Sequence, residues 1–442
     1  MFSNVLDRVR YPLSERRWGM VLGTLLILAV GAPLASARTV PFVFAVLVAG
    51  FLGAGAVRGN LASAGPKRGP VAWHLAVFLL YALASAAWAI DLPGTVLAVS
   101  LAILVALATI ALMQLFGEEP YANLVHMGEG VWAAYVVALL YLLVEIASDQ
   151  SIKLWLYNLI GMSKADLPHQ GVFEWSGGRL VSISDEDLKR NMAPVTLFLW
   201  PAALCALGTF TQERGRAVAI AIVVLAGAIV ALATHGTSKL AFGGALLVFA
   251  AAWLAPRLTG RLVVSGWVIA CVAVLPAALI AHRLDLHNAA WLEPSTRHRI
   301  IIWNYTAEQV LKAPWLGVGA RTTYVLGPRL EQTLETPPDE QFRRTLSTHS
   351  HSVYLQTWFE LGLIGATLLT LLGLAILQSI RALAIPLQRY AYATFVSAAI
   401  MAASSYGMWQ IWFIAMFGLC AALFALGADL SRKRKPSANV SA

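Results

Sequence analysis

Long apolar runs recur along this chain, and inside them apolar and polar positions do not alternate. A helix needs roughly 20 mainly apolar residues to cross a hydrocarbon core. On that basis the pattern predicts spans near 18–36, 39–57, 72–90, 94–115, 130–148, 192–211, 217–234, 240–256, 262–281, 353–378, 390–407 and 410–427. A membrane barrel would show shorter segments alternating at every second residue, so helices are the element that satisfies the backbone here. The fold class predicted is all-α: a polytopic membrane protein of about 12 transmembrane helices. It reads as three stretches. Residues 1–281 carry nine spans and an outer segment at 149–191. Residues 282–352 form a large outer loop with short helices, and 353–442 hold three more spans and a basic tail.

Composition agrees and narrows the class. Of 442 residues, 59% are hydrophobic and 12% charged, against about 25% charged in soluble proteins. Most of the surface therefore faces lipid. The net charge of +9 could suggest nucleic acid, but much of it lies in short loops on one side. Those clusters are Arg8, Arg10, Arg16 and Arg17, then Arg58, Lys67 and Arg68, then Arg214 and Arg216. Arg257 and Arg261, Arg381 and Arg389, and the tail Arg432-Lys433-Arg434-Lys435 follow. Alternate turns such as Asp91-Leu92-Pro93 and Gly407–Gln410 hold no Lys or Arg. The positive-inside rule then puts both termini in the cytoplasm, and no nucleic-acid partner is expected. Cys205, Cys271 and Cys420 all fall inside apolar runs without metal spacing and read as core residues. Ala35-Ser36-Ala37 resembles a signal-peptidase site, but the apolar run before it is long and a second span follows at once, so an uncleaved span is expected.

Two long outer segments break the depletion of basic residues. One, at 149–191, carries Lys153, Lys164, Arg179, Lys189 and Arg190. The other, at 282–351, carries Arg283, Arg297, Arg299, Lys312, Arg321, Arg329, Arg343 and Arg344. The short turn His235-Gly236-Thr237-Ser238-Lys239 adds another cation. Long loops translocate whatever their charge, so simple solubility is one reading. A site for an anionic headgroup is the other, because Arg offers phosphate a planar fork of donors and Lys a point charge. Arg299–Leu311 reads as an amphipathic helix, capped by Ser295 or Thr296 and ended by Pro314 and Gly317-Val318-Gly319. That would put Arg299 in a first turn, where backbone N–H groups also favour anions. The stretch 331–346, with Pro337-Pro338, reads as an exposed connector.

The sharpest local feature is Thr348-His349-Ser350-His351-Ser352, directly before an apolar helix. The positive end of that helix dipole would disfavour the imidazolium form and keep His351 neutral, as a general base must be. Equally, Ser352 could be a cap with incidental histidine neighbours. His-x-His lacks a third ligand at usual spacing, so no metal is expected. Glu360, nine residues on, would lie about 13 Å deeper on the opposite helix face and could not share a proton with His351. It reads as a clamp or part of a headgroup path, and Glu145 raises the same question.

Taken in order, these residues resemble the O-antigen ligase, O-antigen polymerase and protein O-oligosaccharyltransferase superfamily. His351-Ser352, nine residues, then Gly362-Leu363-Ile364-Gly365 fits its H-[N/S/Q]-x9-G-x-x-[G/T/Y] pattern. Arg299, Trp303 and Pro314-Trp315-Leu316-Gly317-Val318-Gly319 resemble its R-x-x-x-W…P-x-x-G-x-G stretch. Thr237-Ser238-Lys239 departs from the usual Ser-Arg, and Arg190-Asn191 is a looser fit. The resemblance covers approximately 170–370. It implies a GT-C-type glycosyltransferase that needs no cofactor, with His351 as base and Arg190, Lys239, Arg299, Arg297 and Arg321 as diphosphate ligands. Ser352, Trp303 and Glu360 would support the site. The implied partners are an undecaprenyl diphosphate-linked O-antigen donor, a lipid A-core acceptor and membrane lipids. A ligase is the expected activity, with a polymerase or protein oligosaccharyltransferase as alternatives. A lipid-linked glycan transporter is the competing class, and the lack of an internal repeat speaks against it.

Overall fold

A computed structural model of the chain describes residues 15–65, 69–166, 172–331 and 346–434. Arg8, Arg10, Lys67, Arg68 and Lys435, and most of the 331–346 connector with Pro337-Pro338, Arg343 and Arg344, lie outside the described residues. The first half contains α1 (Glu15–Ala35), α2 (Val40–Arg58), α3 (Pro70–Ala84), α4 (Leu92–Glu118), α5 (Tyr121–Ala147) and α6 (Ser151–Leu159). A hairpin of β1 (Phe173–Ser176) and β2 (Arg179–Ile183) follows. Next come α7 (Met192–Thr209), α8 (Gln212–Leu232), α9 (Gly236–Leu254), α10 (Pro256–Arg283), α11 (Pro294–Val310) and α12 (Thr322–Glu331). The chain closes with α13 (Val353–Arg381), α14 (Ile385–Ser404) and α15 (Ile411–Lys433).

Among the described residues, eleven helices are long and apolar enough to cross a membrane. The chain is thus a polytopic helical membrane protein. The eleventh predicted span, 390–407, corresponds to α14. It is 20 residues long but begins earlier than expected, so that Gln388, Arg389, Tyr390 and Tyr392 dilute its apolar face. The β-hairpin is a second departure from the expected all-α chain. Phe173 pairs with Ile183 and Ser176 with Arg179. Gly177 (φ 55) and Gly178 (φ 78) make the turn, the double left-handed geometry that matches strand twist. The Gly-Gly between two short runs with β-branched and aromatic residues was the sequence signal for it.

The chain divides into two compact units, Met1–Gly65, Ala108–Gly243 and Met416–Ala442 forming one, Pro66–Leu107 and Gly244–Ala415 the other. In the first, α7 is the central element, with 89% of its apolar window buried. A Cβ on Gly130 would meet the Gly23 carbonyl oxygen at 2.5 Å. That pair lets α1 and α5 pack backbone to backbone, as small residues do in membrane bundles. Cys205 and Cys420 are buried here, and the Cys420 thiol donates to the Leu197 carbonyl at 3.2 Å. Their reading as core residues holds, as it does for Cys271 in the other unit. At one end Arg58 donates to both oxygens of Glu119, and Lys433 donates to the carbonyls of Gly117 and Glu119.

In the second unit, Phe78, Leu79, Val99, Ala320, Leu361 and Met408 form a buried cluster between α3, α4 and α13. The helix α13 is broken at Gly362, whose φ of 63 and ψ of −162 lie outside helical geometry.

Candidate functional site

Helix α11 starts at Pro294, with Glu293 as its N-cap and no side-chain cap. It therefore begins five residues before the predicted Arg299, and Ser295 and Thr296 sit inside its first turn. Pro at the first helical position lacks only an N–H that would be unpaired there anyway, which explains the earlier start. Arg299 consequently lies in the second turn, beyond the helix terminus that the sequence suggested. Its guanidinium is largely buried and donates from Nη1 to Ser404 Oγ at 3.3 Å. One turn on, Trp303 Nε1 donates to the Ser350 carbonyl at 2.9 Å. Helix α11 thus holds the 346–352 loop at one point and the end of α14 at another.

The loop ends in the two histidines. Ser352 caps α13, its Oγ accepting from the Leu355 amide at 3.4 Å. His351, just before the cap, takes a left-handed backbone (φ 54), a costly conformation for a non-glycine residue that functional sites often carry. Its ring nitrogen Nδ1 lies 3.1 Å from the Ser405 carbonyl. A carbonyl only accepts, so the neutral ring carries its proton on Nδ1 and leaves Nε2 with a free lone pair. His349 packs beside it, ring centroids 4.1 Å apart. Gly407 makes room for His349: a Cβ there would stand 2.9 Å from the His349 Cβ.

Electrostatics keep both rings neutral. Burial, then His349 and Arg299, pushes His351 down to about 3, the hydrogen bond from the ring to Ser405 opposing. Burial and Arg299 push His349 down to about 4. Arg299 is itself lowered, chiefly by burial. Neutrality at His351 was expected from a helix dipole. Burial, the neighbouring His349 ring and the Arg299 guanidinium act in the same direction.

The glycines of the two sequence patterns meet in one structural device. The turn segment 314–319 runs against the break in α13. The amides of Val318 and Gly319 donate to the carbonyls of Phe359 (3.1 Å) and Glu360 (2.8 Å), and the Leu363 amide donates to Pro314 (2.8 Å). A Cβ on Gly362 would lie 2.3 Å from the Trp315 carbonyl oxygen, and one on Gly317 would lie 2.5 Å from the Glu360 carbonyl carbon. Side chains at either position would push the segments apart. Glu360 closes the device as a fully buried carboxylate. Its Oε1 accepts from the Thr323 amide (3.0 Å), Thr323 Oγ1 (2.6 Å) and Gln356 Nε2 (3.1 Å). Its Oε2 accepts from the Arg321 amide (2.9 Å) and Trp409 Nε1 (2.5 Å). His351 is not among these partners, in line with the helix geometry, and Glu360 serves as a clamp.

The predicted cations divide by surroundings. Arg321 (φ 62) pairs with Asp91 at 2.5 Å and stacks on Tyr324 at 4.6 Å. Its guanidinium holds the loop start rather than standing open to a ligand. Arg297 lies in the first turn of α11 and is half-buried. Arg190 and Lys239 belong to the other unit. Lys239 is exposed in the first turn of α9, after a His235 whose Nδ1 lies 2.7 Å from Ser238 Oγ. Arg190 is half-buried in a 3-10 turn, Leu188–Asn191, and Asn191 Nδ2 donates to the carbonyls of Leu34 (2.8 Å) and Ala35 (2.7 Å).

Sequence reasoning missed five contributors. Ser404 and Ser405 lie within the expected span 390–407, and Gly407 opens the Gly407–Gln410 turn noted only for its lack of charge. Asp91, the acid of another such turn, is the partner of Arg321. Arg38 is a fifth, close enough to Arg190 for their charges to repel. The signal for it was a basic residue in an outer turn where the charge rule expects none.

Comparison with known proteins accords with this geometry. Residues 220–370 match the model of the O-antigen ligase family, the stretch that contains Lys239, Arg299, His351 and the Gly362 break. A protein of Rickettsia typhi described as a "Putative polysaccharide ligase" is 29% identical over 141 residues, 31% of this chain and 34% of that one. One of Rickettsia conorii with the same description is 30% identical over 123 residues, 28% of this chain and 29% of its own length. The chain thus spans about a third of the length of the curated relatives it matches. Over residues 220–370, the segment that carries the histidine loop, the chain is similar to the O-antigen ligase family, and it is similar to these polysaccharide-ligase-like proteins.

Proposed function

We propose that the chain is a metal-independent glycosyltransferase of the inner membrane, with its site facing the periplasm and both termini in the cytoplasm. It transfers O-antigen glycan from undecaprenyl diphosphate to a sugar hydroxyl of lipid A-core. The observation that carries the reading is the Ser405 carbonyl 3.1 Å from Nδ1 of His351. With Nδ1 donating to Ser405, Nε2 is available to accept the proton of the attacking hydroxyl. The hydroxyl oxygen bonds to the anomeric carbon as the carbon–oxygen bond to the diphosphate breaks, giving inversion. The charge left on the diphosphate would fall to Arg299, beside the ring, with Arg297 on the same helix; Arg190 and Lys239, in the other unit, are candidates for phosphate contact there. An anion arriving at Arg299 would also offset one of the charges that depresses His351, strengthening the base when donor is bound.

A cleft of about 410 Å³ supports a lipid-linked donor. It is lined almost wholly by apolar groups, among them Leu247, Leu262, Trp267, Phe395 and Ile400, and includes Tyr354 and Ala403. Among its lining residues, Tyr354 lies two residues past the Ser352 cap, and Ala403 directly precedes the Ser404 that accepts from Arg299. The test is transfer by purified protein in lipid with a prenyl diphosphate donor. His351→Ala should lower the rate by about 10²–10⁴-fold; full retention would remove the base assignment.

A further inference from the structure

The short helix α6 is not a span, and its apolar residues are arranged on one side. Ile152, Trp155, Leu156, Leu159 and Ile160 recur at steps of three and four, the spacing of a single helix face, and all are exposed, Trp155 by 61% and Leu159 by 64%. The opposite side is fully engaged. Lys153 Nζ pairs with Asp187 at 2.6 Å. Asn158 Nδ2 donates to the Leu180 carbonyl (2.8 Å), while its Oδ1 accepts from the Leu180 amide (3.1 Å). Leu154 and Tyr157 pack on the hairpin residues Leu180 and Ile183. The uncovered apolar face is therefore not the back of a loosely packed element.

Its position indicates what covers it. Helix α5 ends at Ala147, and its own exposed row, Val137, Leu140 and Val144, faces lipid as part of a span. Asp149 (φ 51) and Gln150 (φ 61) are two successive left-handed residues that turn the chain out of the line of α5. The Gln150 side chain fixes the turn, Nε2 donating to the carbonyls of Ile183 (3.2 Å) and Ser184 (3.0 Å). The apolar surface of a span thus continues, after a bend, onto a helix too short to cross.

We propose that α6 lies in the membrane surface, its Ile152–Trp155–Leu159 face sunk among phospholipid acyl chains next to the headgroups. A strongly amphipathic helix binds a bilayer interface in this way, and tryptophan prefers that depth. The polar side of α6 then carries the hairpin and, through Lys153–Asp187, the turn bearing Arg190 at headgroup level. That consequence rests on the proposed donor site; the placement of α6 does not.

The experiment uses full-length protein in nanodiscs of phosphatidylethanolamine and phosphatidylglycerol. Nitroxide labels go on Trp155→Cys, Leu159→Cys and, as the exposed polar control, Lys164→Cys, with the label background of the parent protein subtracted. Labels at 155 and 159 should collide several-fold more with oxygen than with a water-soluble nickel chelate, and the label at 164 should show the reverse. Preference for nickel at 155 and 159 would mean the face is in water. Exclusion of both reagents would mean protein covers it. Either result overturns the proposal, and neither bears on whether wild-type protein transfers glycan.

Discussion

At the scale of single residues, the site is a neutral histidine pair held beside a buried cation. Both rings titrate below the ordinary 6.5, to about 4 at His349 and about 3 at His351. The rate should therefore stay level as pH falls through 6.5, and the acid limb of kcat/KM should appear nearer 3–4. A limb centred at 6.5 would exclude His351 as the essential base. Stability follows the same groups. Their folded pKa values are depressed, so between about 3 and 6.5 the unfolded chain binds more protons than the folded one. The stabilisation is whole above 6.5 and is lost as pH falls through that window, which thermal unfolding of wild type and His349→Gln in detergent would compare; the variant should lose less. Arg299→Gln should move the acid limb upward, but short of 6.5, because burial is the larger cause of the shift. A pH–rate profile of that variant checks it.

At the scale of elements, the break in α13 explains why glycines recur at two distant places in the sequence. The spacing from His351 to Gly362 was visible in the sequence, as was the Pro314–Gly319 run. That they form one device was not, since nothing in either string tells which backbone will meet it. Gly362→Ala would combine a left-handed φ with a Cβ against the Trp315 carbonyl, and should cost about 1–3 kcal/mol or more. Gly317→Ala should behave alike, while Gly266→Ala, with open space around it, should be near neutral; unfolding midpoints would rank the three. Glu360→Ala strands the Arg321 and Thr323 amides and the Trp409 indole in a buried site, so a loss of several kcal/mol is expected. The start of α11 was misread for a local reason: Pro294 was overlooked as a first helical residue in favour of a Ser/Thr cap.

At the scale of the whole molecule, the ligase reading predicts a phenotype. Cells lacking the gene should lose long O-antigen from lipopolysaccharide and accumulate polymer on its carrier; lipopolysaccharide with a single repeat would indicate a polymerase instead. The apolar runs by themselves determined the membrane class and nearly every span, because lipid leaves a backbone no alternative to continuous helix. The order of Arg299, the Pro314–Gly319 run, His351 and Gly362 likewise carried the resemblance to the O-antigen ligase family and singled out His351 as the candidate base. Partnership was decided by tertiary structure alone. Only the fold brings the Ser405 carbonyl to the Nδ1 of His351, gives Asp91 to Arg321 and surrounds Glu360 with five donors. Spacing along a chain fixes which face of one helix a residue takes. Hydrogen-bond geometry and desolvation depend on atoms from elements far away in sequence, and those set the proton on His351.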